Sequence, residues 1–234
     1  GGTAPLSSSV LMGVLPAKAA GVEHIYVCTP AKNGKIESAI LVAAKECGAE
    51  KVFKVGGAQA IAALAYGTQS IPKVDVIAGP GNIFVTLAKK EVYGEVGLDM
   101  LAGPSEILIV ADNKQKPEFV AADVLSQAEH DKLARALLIT DDAAFAEKVQ
   151  AEVERQLALL PRKDIAAYSC EHDGGIILVK DMDEAVDLAN KIAPEHLELA
   201  VENCDELLPK IKNAGAVFLG SWTPEPVGDY FAGP

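Results

Sequence analysis

Apolar positions recur at helical spacing over residues 10–20, and the run stops at Gly21. A buried strand follows over 24–28. The unit then repeats, with a helix over 35–46 stopped by Gly48 and a strand over 51–55. It repeats again, with a helix over 58–65 closed near Gly67 and a strand over 74–78. Glycine ends these helices because it adopts the left-handed conformation required just past the last turn. Strands alternating with helices predict a parallel sheet with right-handed crossovers.

Two related blocks punctuate the middle of the chain. Ala78-Gly79-Pro80-Gly81 leads into a helix over 83–93, and Ala102-Gly103-Pro104-Ser105 leads into a strand over 107–110. The second strand opens a new sheet, so the expected domains are 1–106 and 107–234. The pattern continues with helices over 117–130, 143–160, 183–192 and 204–213. Strands fall over 136–140, 175–179, 197–201 and 216–219. The fold class is therefore α/β.

Composition supports this class. Half of the 234 residues are hydrophobic, enough for a core of ordinary size, yet only 5% are aromatic. Val, Ile, Leu and Ala must do the packing, as in parallel sheets buried on both faces. The net charge of −12 argues against a nucleic-acid partner, and Lys89-Lys90 reads as a solvated helix face. No apolar run is long enough to span a bilayer, so no membrane partner is expected. Cys28, Cys47, Cys170 and Cys204 form no C-x-x-C pair. They read as reduced thiols, mostly buried, in a cytoplasmic protein.

Five segments could carry chemistry, two of them similar glycine turns. Gly79-Pro80-Gly81-Asn82 joins a strand to a helix, where exposed backbone N–H groups can hold phosphate. The third glycine of a dinucleotide fingerprint is missing, so a tight βα turn explains it equally well. Gly56-Gly57-Ala58-Gln59 is a similar turn, and both lie where strands end, the edge at which open α/β sheets bind ligands. Ser126-Gln127-Ala128-Glu129-His130 closes a helix. Gln127 and His130 share a face at i, i+3, a spacing that suits two ligands of one metal. A histidine in a last turn also simply complements the helix dipole. Pro194-Glu195-His196 places an acid and an imidazole on a loop before a strand, as proton handlers or as a polar turn. Gly228-Asp229-Tyr230 offers one more carboxylate in a loop. His24, and His172 in a polar loop, are assigned to structure or solvent.

In order, Gly1-Gly2-Thr3-Ala4-Pro5-Leu6, Val55-Gly56-Gly57-Ala58-Gln59-Ala60-Ile61-Ala62, Gly79-Pro80-Gly81-Asn82 and Ala102-Gly103-Pro104-Ser105-Glu106 resemble the histidinol dehydrogenase family. So do Ser126-Gln127-Ala128-Glu129-His130, Pro194-Glu195-His196-Leu197 and Gly228-Asp229-Tyr230.

The resemblance implies a zinc-dependent enzyme that oxidises L-histidinol to L-histidine in two hydride transfers, using NAD. It implies that Gln127, His130 and Asp229 are zinc ligands, and that Ser105 contacts substrate, as do the three ligands and His196. His196 is then the general base for the alcohol and Glu195 the group that activates water for the second oxidation. Gln59 and Asn82 become NAD contacts. The implied architecture is two Rossmann-like, aldehyde-dehydrogenase-like parallel-sheet domains in an intertwined homodimer. Residues 1–106 form the NAD side and 107–234 part of the zinc and substrate side. A further histidine ligand comes from the partner subunit in that family.

Both ends of the sequence are loop-like, so it reads as part of a longer chain, inactive alone. A partial domain is also expected to expose apolar faces and self-associate. Three other readings differ in their chemistry. An aldehyde dehydrogenase relative would need a nucleophilic cysteine, and none of the four lies in a candidate segment. A zinc hydrolase would leave the glycine loops unexplained, and a non-catalytic fragment would bind ligands without turnover.

Overall fold

The computed structural model describes residues 6–232. Residues 1–5, which open the family-like sequence, lie outside the described residues, as do 233 and 234. The chain forms two compact units that meet between Gly103 and Pro104.

In the first unit the elements are α1 (Ser7–Ala19), β1 (Tyr26–Cys28), α2 (Ser38–Cys47), β2 (Lys51–Phe53), α3 (Gly57–Tyr66), β3 (Val76–Ile77), α4 (Ile83–Glu91) and β4 (Gly97–Leu98). The expected single sheet is two parallel pairs, β1 with β2 and β3 with β4. The first pair has a core of its own on one face and shares the core of the second pair on the other, through Cys28 and Phe53. Val10, Val14, Ile40, Ala44 and Cys47 pack over the first. Ile61, Leu64, Ile77, Val92 and Val96 pack over the second. Gly48, at φ 83°, closes α2 in the left-handed conformation that the sequence pattern called for.

Lys89 corrects the reading of Lys89-Lys90 as a solvated face. It is 3% exposed, and its ammonium is bound inside the unit. The α4 surface that carries it packs inward, and Lys90 alone faces solvent.

The second unit contains β5 (Glu106–Ala111), α5 (Pro117–Ala128), β6 (Arg135–Thr140), α6 (Ala143–Leu157), α7 (Lys163–His172), β7 (Gly175–Leu178), α8 (Met182–Ile192), β8 (His196–Ala200), α9 (Cys204–Leu207), β9 (Ala216–Leu219) and α10 (Glu225–Val227). Its five strands are all parallel, in the order β7-β6-β5-β8-β9. Side chains alternate across the sheet. Ile107 and Ile109 of β5 face α5 and α6, while Leu108 and Val110 face the α8 side. On β8, Leu197 and Leu199 join the α8 core, so Glu198 points to the α5 face.

Three expectations need correction here. The long helix ends at Leu157, and α7 follows Pro161 with His172 as its last residue rather than in a loop. Only Ala166 and Ser169 of α7 are buried, so its apolar period is faint. The helix expected over 204–213 is one α-turn and one tighter turn, because Pro209 has no N–H to continue the ladder. The closing segment coils into α10 and a wide helical turn over Gly228–Ala232 instead of a loop.

Tyr93, Leu159, Trp222 and Phe231 stand exposed at 74%, 74%, 75% and 94%. Among the described residues no helix is long and apolar enough to cross a membrane.

Candidate functional site

The site in the second unit is built where β5 and β8 begin. Pro194 follows α8, whose last turn closes with Ala193 in the left-handed region at φ 51°. The chain then enters β8 directly, so His196 is the first strand residue rather than part of a loop. Beside it runs β5, which begins at Glu106, just after Ser105. The expected candidates thus gather at the starts of these strands, the edge opposite the one where open α/β sheets usually bind ligands.

Glu195 and His196 both bind the backbone of Glu106. The Glu106 N–H donates to Glu195 Oε2 at 3.2 Å, and His196 Nδ1 lies 3.0 Å from the Glu106 carbonyl oxygen. A carbonyl only accepts, so Nδ1 carries a proton. In the neutral ring Nε2 then keeps its lone pair free. That nitrogen lies 3.9 Å from Glu225 Oε1, and Nδ1 lies 3.9 Å from Glu195 Oε2. His196 is half-buried, so its ring is held but reachable.

Gln127 sits in the last turn of α5, 3% exposed, and donates from Nε2 to Glu225 Oε2 at 2.9 Å. Its Oε1 takes up no hydrogen bond among the described residues. His130 follows in the turn after α5, exposed, with its carbonyl accepting from Arg162 at 3.2 Å. Asp229 is exposed on the wide turn after α10, and its charge acts on Glu225. The structure therefore joins Gln127 and His196 through Glu225, and His196 to Glu195 through the Glu106 peptide, with Asp229 nearby, while the His130 ring makes no side-chain hydrogen bond among the described residues. Among those residues no three His, Cys, Asp or Glu side chains converge to hold a metal ion. The expected zinc set has only two side chains of those types, the third being the Gln127 amide.

Sequence reading missed the acids behind this site. Glu198, 3% exposed at the middle of β8, is hydrogen-bonded to Asp123 of α5. Its Oε1 accepts the Glu225 N–H at 2.7 Å. Burial, and then the neighbouring Asp123 charge, push the Glu198 carboxyl up to about 9. Burial likewise lifts Asp123 to about 6. A hydrogen bond between two carboxyls needs a proton on one of them, so the pair titrates as a unit. Burial followed by the Asp229 charge also raises Glu225, against the lowering effects of His196 and Gln127. A signal was present: Asp123, Gln127 and His130 share one helix face at i, i+4, i+7, and Glu198 is the one acid in an apolar strand.

In the first unit both glycine turns follow strands and open helices. Gln59 is exposed in the first turn of α3. Asn82 is the N-cap of α4, with its side chain accepting from the Val85 N–H at 3.2 Å, which leaves its amide nitrogen outward. Gly79, at φ 124°, is held on both sides. Its N–H donates to Asp99 Oδ2 at 2.7 Å, and its carbonyl accepts from Lys89 at 2.7 Å.

The cysteines are all unpaired, Cys47 buried and the others half-buried. Burial raises the Cys28 and Cys170 thiols, the latter aided by Glu171, which makes both poor nucleophiles. His24 pairs with Glu50 at the surface, and His172 stacks on Tyr168.

A family model described as histidinol dehydrogenase matches residues 1–234. The histidinol dehydrogenase of Carboxydothermus hydrogenoformans is 56% identical over the whole chain, which covers 55% of that protein. The one from Caldanaerobacter subterraneus subsp. tengcongensis is 57% identical, with 54% of it covered. A crystal structure of histidinol dehydrogenase from Elizabethkingia anophelis superposes with a TM-score of 0.93 at 46% identity, over 100% of this chain and 54% of that one. A propionaldehyde dehydrogenase from Clostridium phytofermentans, at 16% identity and TM-score 0.50 over 84% of this chain and 58% of its own, shares the fold alone. The chain thus spans about half the length of the curated relatives it matches, and across all of that span it belongs to the histidinol dehydrogenase family.

Proposed function

We propose that this sequence is part of an L-histidinol dehydrogenase, which oxidises L-histidinol through L-histidinal to L-histidine. The observation that carries the reading is the placement of Glu195 and His196 on one peptide of β5, in a chain that matches the family throughout. His196 presents an Nε2 lone pair to take the proton of the alcohol as hydride leaves carbon. Glu195, whose other oxygen makes no hydrogen bond among the described residues, draws the proton from the water that adds to the aldehyde before the second oxidation. Fixing both groups to a strand start keeps them in step with each other.

NAD, when bound, accepts the hydride in each oxidation. Gln59 and Asn82 are the residues we assign to it, and the outward amide of Asn82 supports the choice. Zinc, when bound, supplies a template that grips the substrate. Gln127, His130 and Asp229 would hold it. The chemistry of the donors fits, because the Gln127 nitrogen is engaged by Glu225 and the amide oxygen is left to ligate. Ser105, at the same edge, would contact substrate, as would the ligands and His196. The exposed apolar faces support a homodimer, and four unpaired thiols support a cytoplasmic setting.

The test is NADH formation from L-histidinol with zinc, in the full-length enzyme carrying this sequence. Two NADH per histidinol are expected, and none from this 234-residue chain alone. A full-length protein that binds zinc and NAD yet forms no NADH would overturn the assignment.

A further inference from the structure

We propose that Glu225 is a positioning residue, which turns the Gln127 amide so that its oxygen, not its nitrogen, faces a bound metal ion. The inference rests on the reading of Gln127 as a zinc ligand.

A glutamine amide has two ends of nearly equal size and opposite hydrogen-bonding character. Only the oxygen end has a lone pair available to a cation. A half-turn of the last torsion exchanges the two, so an unsupported glutamine presents the wrong end part of the time. Glu225 removes that choice. Its carboxylate accepts and does not donate, so it pairs with the NH2 end, and the 2.9 Å contact to Nε2 has that polarity. Both partners are buried, at 5% and 3% exposure, so water does not compete for the contact. The other carboxylate oxygen faces His196 Nε2 at 3.9 Å. One side chain thus spans the ligand and the proposed base.

Glu225 is itself anchored. Its N–H donates to Glu198 Oε1 at 2.7 Å, Glu198 is fixed in the centre of β8, and Asp123 of α5 holds the Glu198 carboxyl. Asp123 and Gln127 lie one helical turn apart on α5. The links therefore close a ring from α5 through β8 and α10 back to α5. Such a ring fixes a ligand from outside the metal's own shell, the way outer partners tune metal sites generally.

The experiment measures zinc affinity of the metal-stripped full-length enzyme, by competition with a chromophoric chelator, for Glu225→Ala, Gln127→Ala and the parent. Glu225→Ala is expected to weaken zinc binding by about 10- to 100-fold. Unchanged zinc affinity in Glu225→Ala overturns the proposal. Should that variant not fold, Glu225→Asp carries the test, because it keeps the charge but draws the carboxylate back by one carbon. About tenfold weaker binding is expected of it, and parent-like binding overturns the proposal. Gln127→Ala separates the two ideas. Parent-like zinc binding there would remove Gln127 as a ligand. Loss of zinc there, with zinc retained in the Glu225 variants, would remove only the role of Glu225.

Discussion

Lys89 and Asp99 hold one glycine between them. The ammonium lies 2.6 Å from Asp99 Oδ1 and 2.7 Å from the Gly79 carbonyl, while Asp99 Oδ2 accepts the Gly79 N–H. The turn before α4 is therefore set by an ion pair whose lysine is buried. We predict that Lys89→Met destabilises the first unit by about 1–3 kcal/mol, because it strands a carbonyl and a carboxylate. Hydrogen exchange along α4 checks this, and unchanged protection would contradict it.

The same pair sets an acid limit. Burial alone would raise Asp99, but the Gly79 N–H and Lys89 outweigh it and hold the carboxyl below its ordinary value. A depressed carboxyl contributes stability above the unfolded pKa, about 3.9 for aspartate, and that stability fades as pH falls through the lower folded value. Protection of α4 should fall below about pH 4 in the parent. In Asp99→Asn that part of the pH dependence should be missing, with lower protection at neutral pH.

Glu198 has the opposite sign. Its carboxyl is raised to about 9 by burial and the Asp123 charge, so the folded state holds a proton that the unfolded state releases near pH 4.3. The stability tied to that proton is full below the unfolded value and is lost as pH climbs through the folded one. Denaturant unfolding of the second unit should show falling stability from about pH 5 to pH 9. Glu198→Gln is close in shape to the protonated acid. Its oxygen can accept the Glu225 N–H and its NH2 can donate to Asp123, so the variant should fold and show a flatter profile. A profile as steep as the parent's would place the proton elsewhere.

What was legible in the sequence follows from how each signal arises. Strands such as Glu106–Ala111 are continuous apolar runs, and Pro117 and Gly48 mark helix ends by backbone chemistry that needs no tertiary partner. Helix α7 lacked such a run, since it buries only two small residues. The two-residue strands β3 and β4 are too short to carry a period. Glu195 and His196 stood out as a pair, yet their common anchor on the Glu106 peptide depends on strand register across 89 and 90 residues. Glu225 lies between two prolines in an unremarkable stretch, and only the return of that segment over Glu198 reveals it. Lys89 looked solvated because adjacency in sequence hides that neighbours on a helix face different ways.

Gly215 is a close-approach glycine. A Cβ there would stand 2.5 Å from the Glu195 carbonyl oxygen, a backbone atom that cannot swing aside. The Gly215 N–H also donates to the Pro194 carbonyl at 3.0 Å. Gly215→Ala must therefore move the Glu195 backbone or the start of β9. We predict a loss of about 1–3 kcal/mol, typical of overpacking, and lower turnover in the full-length enzyme even where the fold survives. Parent-like stability and rate together would show that the strand starts can separate freely.

The two proposed proton handlers should be separable by step. On the proposed assignment, His196 would act on the alcohol in the first oxidation and Glu195 on water ahead of the second. Glu195→Gln keeps an oxygen that can accept the Glu106 N–H, so β5 and β8 should stay in register. It loses the ability to take a proton. In a rapid-mixing experiment with excess NAD, that variant should release about one NADH per site quickly and the second slower by about 10²- to 10⁴-fold. His196→Asn should lose the fast phase itself, by a similar factor, because a short amide offers no basic nitrogen. Equal slowing of both NADH phases by Glu195→Gln would mean that Glu195 serves both oxidations, and the division of labour drawn from the Glu106 anchor would have to be abandoned.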